Sequence, residues 1–152
     1  MKYLFTIDKN NYNGMATIFK RPSSRGIIWV GGYLAMVYSE KYGYFKFPGG
    51  GIQPDETEID ALLREVQEEA GLLVIRDSVK EFGHSRSIQK GTDNNIFVQD
   101  NYYFECSVSA TITEQHLDPH ETDADFTLRI IDPKFALEAE QRYLKNHDSI
   151  MI

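Results

Sequence analysis

The chain holds one cysteine, Cys106, in 152 residues, so it can form no internal disulfide and no cysteine-rich zinc site. A lone thiol fits a reducing compartment, and a cytoplasmic location is expected. Long apolar runs are missing too. The longest, GIIWVGGYLAMVY from Gly26, is broken by Gly31 and Gly32 and is too short to span a bilayer. The opening stretch, MKYLFTIDKNNYNG, has no apolar segment of signal-peptide length, so no membrane association is expected. Basic residues are scarce: 16 Lys and Arg face 23 Asp and Glu, leaving a net charge of −7 and a pI near 5.1. That balance argues against a nucleic-acid partner, because gripping a polyphosphate backbone takes clustered Lys and Arg that displace counterions. A small anionic substrate remains open to it, given local positive charge from a few basic side chains or a bound metal. Internal repeats, low-complexity tracts and Pro/Ser-rich linkers are absent, and 41% apolar with 26% charged residues is an ordinary globular balance. One domain over residues 1–152 is expected.

What is present reads first as sheet. Runs rich in β-branched and aromatic residues occur at KYLFTI, MATIFKR, GIIWV, YLAMVYS and YFKF, with Asn, Gly and Ser turn signals between them. One helix-period segment follows from about Thr57 to Ala70, then strands at VKEFGHSRSI, NIFVQDNYYFECSVS and FTLRIID. A last helix, PKFALEAEQRYLKN, opens with Pro133 in the first turn, where proline is favoured. Sheet, helix, sheet, helix in one domain predicts an α/β fold with a mixed sheet packed between helices.

The first helix breaks two rules of helix stability. Thr57 and Asp60 resemble a capping box, and Gly71 is a natural stop. Ile59, Leu62, Leu63, Val66 and Ala70 form one apolar stripe at 100° per residue, flanked by Glu65 and Glu69, with Glu68 beside them. Like charges at these spacings cost about 0.2–0.5 kcal/mol each, and anions in a last turn oppose the macrodipole by about 0.3–1 kcal/mol each. A solvated acidic face is one reading, with Arg64 pairing to Glu68 as partial relief. A divalent cation is the other, since hard cations take carboxylate oxygens. The preceding Pro48-Gly49-Gly50-Gly51 supports the second reading as a flexible loop that lets backbone carbonyls approach a ligand closely, although a plain glycine turn would look the same. Glu56, just ahead of the cap, adds another carboxylate.

Together these residues resemble the Nudix box, G-x5-E-x7-R-E-U-x-E-E-x-G-U with U a bulky aliphatic. Gly50, Glu56, Arg64, Glu65, Val66, Glu68, Glu69, Gly71 and Leu72 fill every specified position. Gln53 and Asp55 stand at unspecified positions where many members have Glu and Gly. The resemblance implies an α/β/α sandwich with a mixed sheet, and hydrolysis of a nucleoside diphosphate linked to another moiety with Mg²⁺ or Mn²⁺ as cofactor. It implies that Glu65, Glu68 and Glu69 bind the metal, that Glu56 supports them, that Arg64 orients them by ion pairing, and that the Gly49 carbonyl is a further ligand. Dimerisation is common in the family, so a homodimer is admitted, though no interface is evident.

Family members often add an acid from a loop late in the fold, as metal ligand or base. HLDPHETDADF is the counterpart here, with Glu121 the first candidate and Asp123 the second; a solvated acidic loop is the alternative. His116 and His120, separated by Pro119, are read as exposed loop histidines. Substrate contacts are expected from aromatic residues, with Tyr33, Tyr44, Phe45 and Phe47 as candidates and Tyr33 and Phe47 preferred. Among the basic residues Arg21, Arg25, Arg86 and Lys90, Arg86 is preferred for phosphate. A nucleoside-triphosphate-like or small NDP-linked substrate is expected. The rival function is a Nudix-fold sensor module that binds a nucleotide without cutting it, which the complete set of box glutamates disfavours.

Overall fold

A computed structural model of the chain describes residues 1–146. Six strands run side by side in the order β1 (Tyr3–Asp8), β8 (Lys80–Lys90), β9 (Ile96–Cys106), β3 (Ser23–Val30), β4 (Tyr33–Ser39), β11 (Phe126–Ile131). Three short strands attach to them: β2 (Ile18–Lys20) on β9, β5 (Phe45–Lys46) on β4 and β6 (Gly49–Gly51) on β3. The sheet is mixed, as expected. β1 pairs β8 in parallel, and β3 and β2 pair β9 in parallel, while β8 and β9 run antiparallel over their whole length. A separate ribbon joins β7 (Leu72–Val74) to β10 (Val108–Ile112).

Successive side chains on a strand point to opposite faces, and this alternation builds two cores. Ile28, Ala35, Val37, Phe104 and Cys106 pack on one face against Leu62, Val66 and Ala70 of α1 (Glu58–Ala70). Ile27, Leu34, Met36, Phe45 and Tyr103 pack on the other with Leu4 and with Ala139 of α3 (Pro133–Asn146). Helices on both faces of one mixed sheet give the α/β/α arrangement.

Two assignments from sequence are corrected. Gly49–Gly51 is a strand rather than a loop: it pairs antiparallel with Ser23–Arg25. Three glycines carry no strand preference of their own, so the pairing partner supplies it. Within HLDPHETDADF the chain forms α2 (Pro119–Ala124), with Asp118 as N-cap in a capping box with Glu121 and Pro119 in the first turn. Pro119 starts this helix, which carries His120 out of the expected loop.

Candidate active site

α1 brings the acids to one place. The Thr57 hydroxyl accepts from the Asp60 amide at 3.1 Å, and the Asp60 carboxylate accepts from the Thr57 amide at 3.4 Å. Gly71 ends the helix at φ 70°. No basic residue stands in the last turn, so neutral donors satisfy its carbonyls instead. The Gly71 amide donates to Gln67, the His116 amide to Glu68 at 2.7 Å, and the Gln115 side chain to Glu69 at 2.7 Å.

Arg64 gathers three of the glutamates. Its Nε donates to Glu56 at 3.1 Å, and Nη2 pairs with the other oxygen of the same carboxylate. Nη1 reaches Glu65 at 2.6 Å and Glu68 at 3.3 Å, and Nη2 also donates to the Gly51 carbonyl at 3.0 Å. The expected pairing to Glu68 is therefore the longest of the three. The guanidinium holds the Glu56 carboxyl below its ordinary range. Burial pushes the Glu65 carboxyl up, against the pull of Arg64 and with help from the charges of Glu68 and Glu121.

Glu69 was expected on the flank of the apolar stripe, yet its side chain is 0% exposed. One oxygen accepts from the Gly49 amide at 3.1 Å; the other lies 2.6 Å from Lys46 Nζ in an ion pair. Lys46 also stands 4.5 Å above the Phe126 ring centre. Burial lowers the Lys46 pKa; Glu69 opposes the shift and the charge of Arg25 adds to it. Sequence reasoning missed Lys46, and the only signal was a lysine inside an otherwise aromatic strand run.

The glycines fit this arrangement closely. A Cβ on Gly50 would lie 2.2 Å from a Glu65 oxygen, and one on Gly49 would lie 1.9 Å from the Ser24 carbonyl oxygen. Gly49 has φ 149°, which disfavours any other residue.

α2 brings Glu121 to the same end of the cleft. Its carboxyl is pushed up to about 7 by burial and by the adjoining Glu69, while the Asp118 amide opposes the shift. Asp123, the second candidate, is turned away to Lys41 at 2.9 Å and the Tyr42 hydroxyl at 3.0 Å. The histidines are exposed as expected, although His120 borders the cleft.

The cleft itself has a volume of about 380 Å³ and extends from Gly49–Gly51, Glu65 and Glu121 across β3, β9 and β8 to β1. Arg86 lines it but is held by both oxygens of Asp100, at 2.7 and 3.1 Å. Arg21 and Arg25 line it, and neither has a carboxylate partner among the described residues. Arg25 donates to the Gly49 carbonyl at 3.1 Å, and its buried Nε has no acceptor.

The aromatic candidates are mostly elsewhere. Tyr33, the first residue of β4, is 54% exposed and is not among the residues lining the cleft. The Gly31–Gly32 turn carries it to the far end of its strand. Tyr44 and Phe45 are core residues. Phe47 packs its ring on Tyr103 at 6.0 Å, behind the cleft lining. Among the described residues, no three acidic, histidine or cysteine side chains converge on a point that could hold a metal ion. Arg64 and Lys46 occupy the carboxylates instead.

A family model for the NUDIX domain matches residues 17–146. The chain belongs to the Nudix family. The backbone of this Nudix protein resembles the MutT protein of Bacillus halodurans, with TM-score 0.62 and 16% identity over 84% of this chain and 81% of the other. A Nudix hydrolase of Nitrosomonas europaea gives 0.60 and 17% over 82% and 80%. The E. coli ORF135 protein gives 0.50 and 20% over 83% and 81%. Identities this low establish the fold and nothing finer. A search of curated proteins returns no match. No helix among the described residues is long and apolar enough to cross a membrane.

Proposed function

We propose that this Nudix protein is a pyrophosphohydrolase dependent on Mg²⁺ or Mn²⁺, cleaving a nucleoside diphosphate linked to another group, either a nucleoside triphosphate or a small NDP conjugate. The observation that carries this reading is a cleft whose one end is lined by Glu65, Glu121, a glycine strand and Arg21 and Arg25, with Glu56 and Glu68 tied to Glu65 through Arg64 and Glu69 buried against the Gly49 amide. Arginines without a carboxylate partner among the described residues, in a chain of net charge −7, suit an anionic ligand.

The donor set fits a hard dication. It is all oxygen, and the Glu65 and Glu121 carboxyls are held against ionisation by burial and by neighbouring acids, a conflict that a divalent charge relieves. Glu65, Glu68, Glu69 and Glu121 would hold the ion by turning from Arg64 and Lys46 onto a common point that they do not share in this structure, with the Gly49 carbonyl as a further oxygen. Such an ion supplies charge neutralisation at the diphosphate and a lowered pKa for the attacking water.

The chain's own groups do the rest. Arg64 keeps Glu65 and Glu68 oriented, Lys46 anchors Glu69, and Arg21 and Arg25 receive phosphate oxygens. Glu65 or Glu121 accepts the proton from water as it attacks phosphorus in line with the leaving group. Arg25 takes over the role first expected of Arg86, whose charge is already paired with the Asp100 carboxylate through two hydrogen bonds. Glu68→Gln is the test: its side chain is 41% exposed, so folding should survive while Mg²⁺-dependent release of phosphate or pyrophosphate from a nucleotide panel falls by orders of magnitude. Turnover near the wild-type rate would overturn the proposal. Nucleotide binding with no turnover by the wild type would favour the sensor reading.

A further inference from the structure

Beyond the carboxylates and arginines, the floor of the cleft is polar, neutral and organised. Phe97, Gln99, Asn101 and Tyr103 alternate on β9 and all line the cleft, as the two-residue period of a strand requires. Ser23 on β3 and Ser85 on β8 flank Asn101 in register. Ser23 is 2% and Asn101 6% exposed, so their polar groups need partners.

Those partners are mostly each other. The Ser23 hydroxyl donates to Asn101 Oδ1 at 2.5 Å. Gln99 Nε2 donates to the same oxygen at 2.9 Å and to Ser23 Oγ at 3.3 Å. The Asn101 oxygen and the Gln99 amide nitrogen are then fully used, leaving the Asn101 NH₂ as a free donor and the Gln99 oxygen as a free acceptor. Exchanging O and N in both carboxamides preserves the triangle and merely swaps which residue presents which group. Exchanging only one sets like against like. Either way the floor offers one carboxamide donor and one carboxamide acceptor, held by one buried and two part-buried bonds.

We propose that Gln99 and Asn101, locked by Ser23, read the hydrogen-bonding edge of a nucleobase. A side-by-side donor and acceptor matches the paired acceptor and donor that every nucleobase carries on its Watson–Crick edge, and it offers no charge to a second phosphate and no apolar bed to an acyl chain. Phe5, 38% exposed on β1 in register with Ser85, lines the same cleft and supplies a stacking face. Strand order places Gly51, Ser23, Asn101, Ser85 and Phe5 in one row. Strands lie about 4.8 Å apart, so a base over Asn101 leaves its phosphates beside Arg21, Arg25 and the carboxylates. This assignment rests on the pyrophosphohydrolase reading for the direction in which the substrate lies.

Calorimetric titration without divalent metal tests it, using the common ribonucleoside monophosphates and base-free ribose phosphate as ligands. At least one monophosphate should bind about tenfold more tightly than ribose phosphate. Gln99→Met and Asn101→Ala should erase that preference and leave ribose phosphate binding unchanged. Gln99 is only half-buried, so its variant decides the matter if Asn101→Ala does not fold. No preference in the wild type, or a preference that survives Gln99→Met, overturns the proposal. A base preference in a protein that hydrolyses no nucleotide would support this site while removing the hydrolase reading.

Discussion

Replacing Gly50 with alanine should leave a stable protein that scarcely turns over. The added Cβ would stand 2.2 Å from Glu65 Oε2 and 2.5 Å from its Cδ, so the carboxylate must retreat by roughly 1 Å. A misplacement of that size costs about 100-fold in rate when the group acts at the reacting centre. The backbone gives no reason for unfolding, because Gly50 is not among the residues with positive φ, and the atoms in the way are the end of a flexible side chain. Restricting the unfolded chain even favours alanine, by about 0.4–1 kcal/mol. Gly49→Ala is the control. Its Cβ meets the Ser24 carbonyl oxygen at 1.9 Å, which is backbone of a central strand, and its φ of 149° adds strain of about 1–3 kcal/mol. Thermal melts beside Mg²⁺-dependent nucleotide hydrolysis should therefore separate the neighbours: Gly50→Ala keeps its melting temperature and loses activity, whereas Gly49→Ala loses stability first. A fully active Gly50→Ala protein would refute the reasoning about Glu65.

Other consequences are equally open to measurement. Lys46→Met leaves Glu69 buried without its cation and should cost about 3–5 kcal/mol in urea unfolding, with much of the loss recovered by adding Glu69→Gln; an unchanged midpoint would mean that the pair contributes nothing. Glu121, pushed up to about 7, binds its proton more tightly folded than unfolded, so its contribution to stability falls as pH rises from the ordinary carboxyl range through 7. Glu121→Gln should accordingly melt higher than the wild type at pH 8 without metal and approach it below the ordinary carboxyl range, at about pH 4, and an equal difference at both would contradict the assigned environment. Burial pushes the Cys106 thiol up to about 12, so iodoacetamide at pH 8 should label it only after unfolding. Prompt labelling of native protein would count against a buried thiol. Arg25→Ala should raise KM about tenfold or more, and Arg86→Ala much less, since Asp100 already occupies Arg86.

The parts legible in the sequence were those whose signals are local. α1 could be bounded from Thr57, Asp60 and Gly71, α3 from Pro133, and β4 from YLAMVYS, because caps and apolar periods sit inside the segments that they specify. β6 could not, since Gly49–Gly51 becomes a strand only by pairing with Ser23–Arg25. α2, at six residues, is too short to show a helical period. Its Asp118-Pro119 start with Glu121 in the first turn was nonetheless a readable cap signature. The box glutamates were found by motif, and the burial of Glu69 was not, because Lys46 comes from a distant strand. Tyr33 was misjudged for a similar reason: alternation along β4 gives the face of a side chain but not which end of the strand meets the cleft.

In the function proposed above, the glutamates gathered by Arg64 and Lys46 are a divalent-metal site. Crystals grown with Mn²⁺ and measured at the manganese absorption edge test it most directly. The account predicts an anomalous peak bound by at least two of Glu65, Glu68, Glu69 and Glu121, at about the 2.0–2.2 Å typical of small hard cations. Manganese bound elsewhere, with these carboxylates still paired only to Arg64 and Lys46, would contradict it.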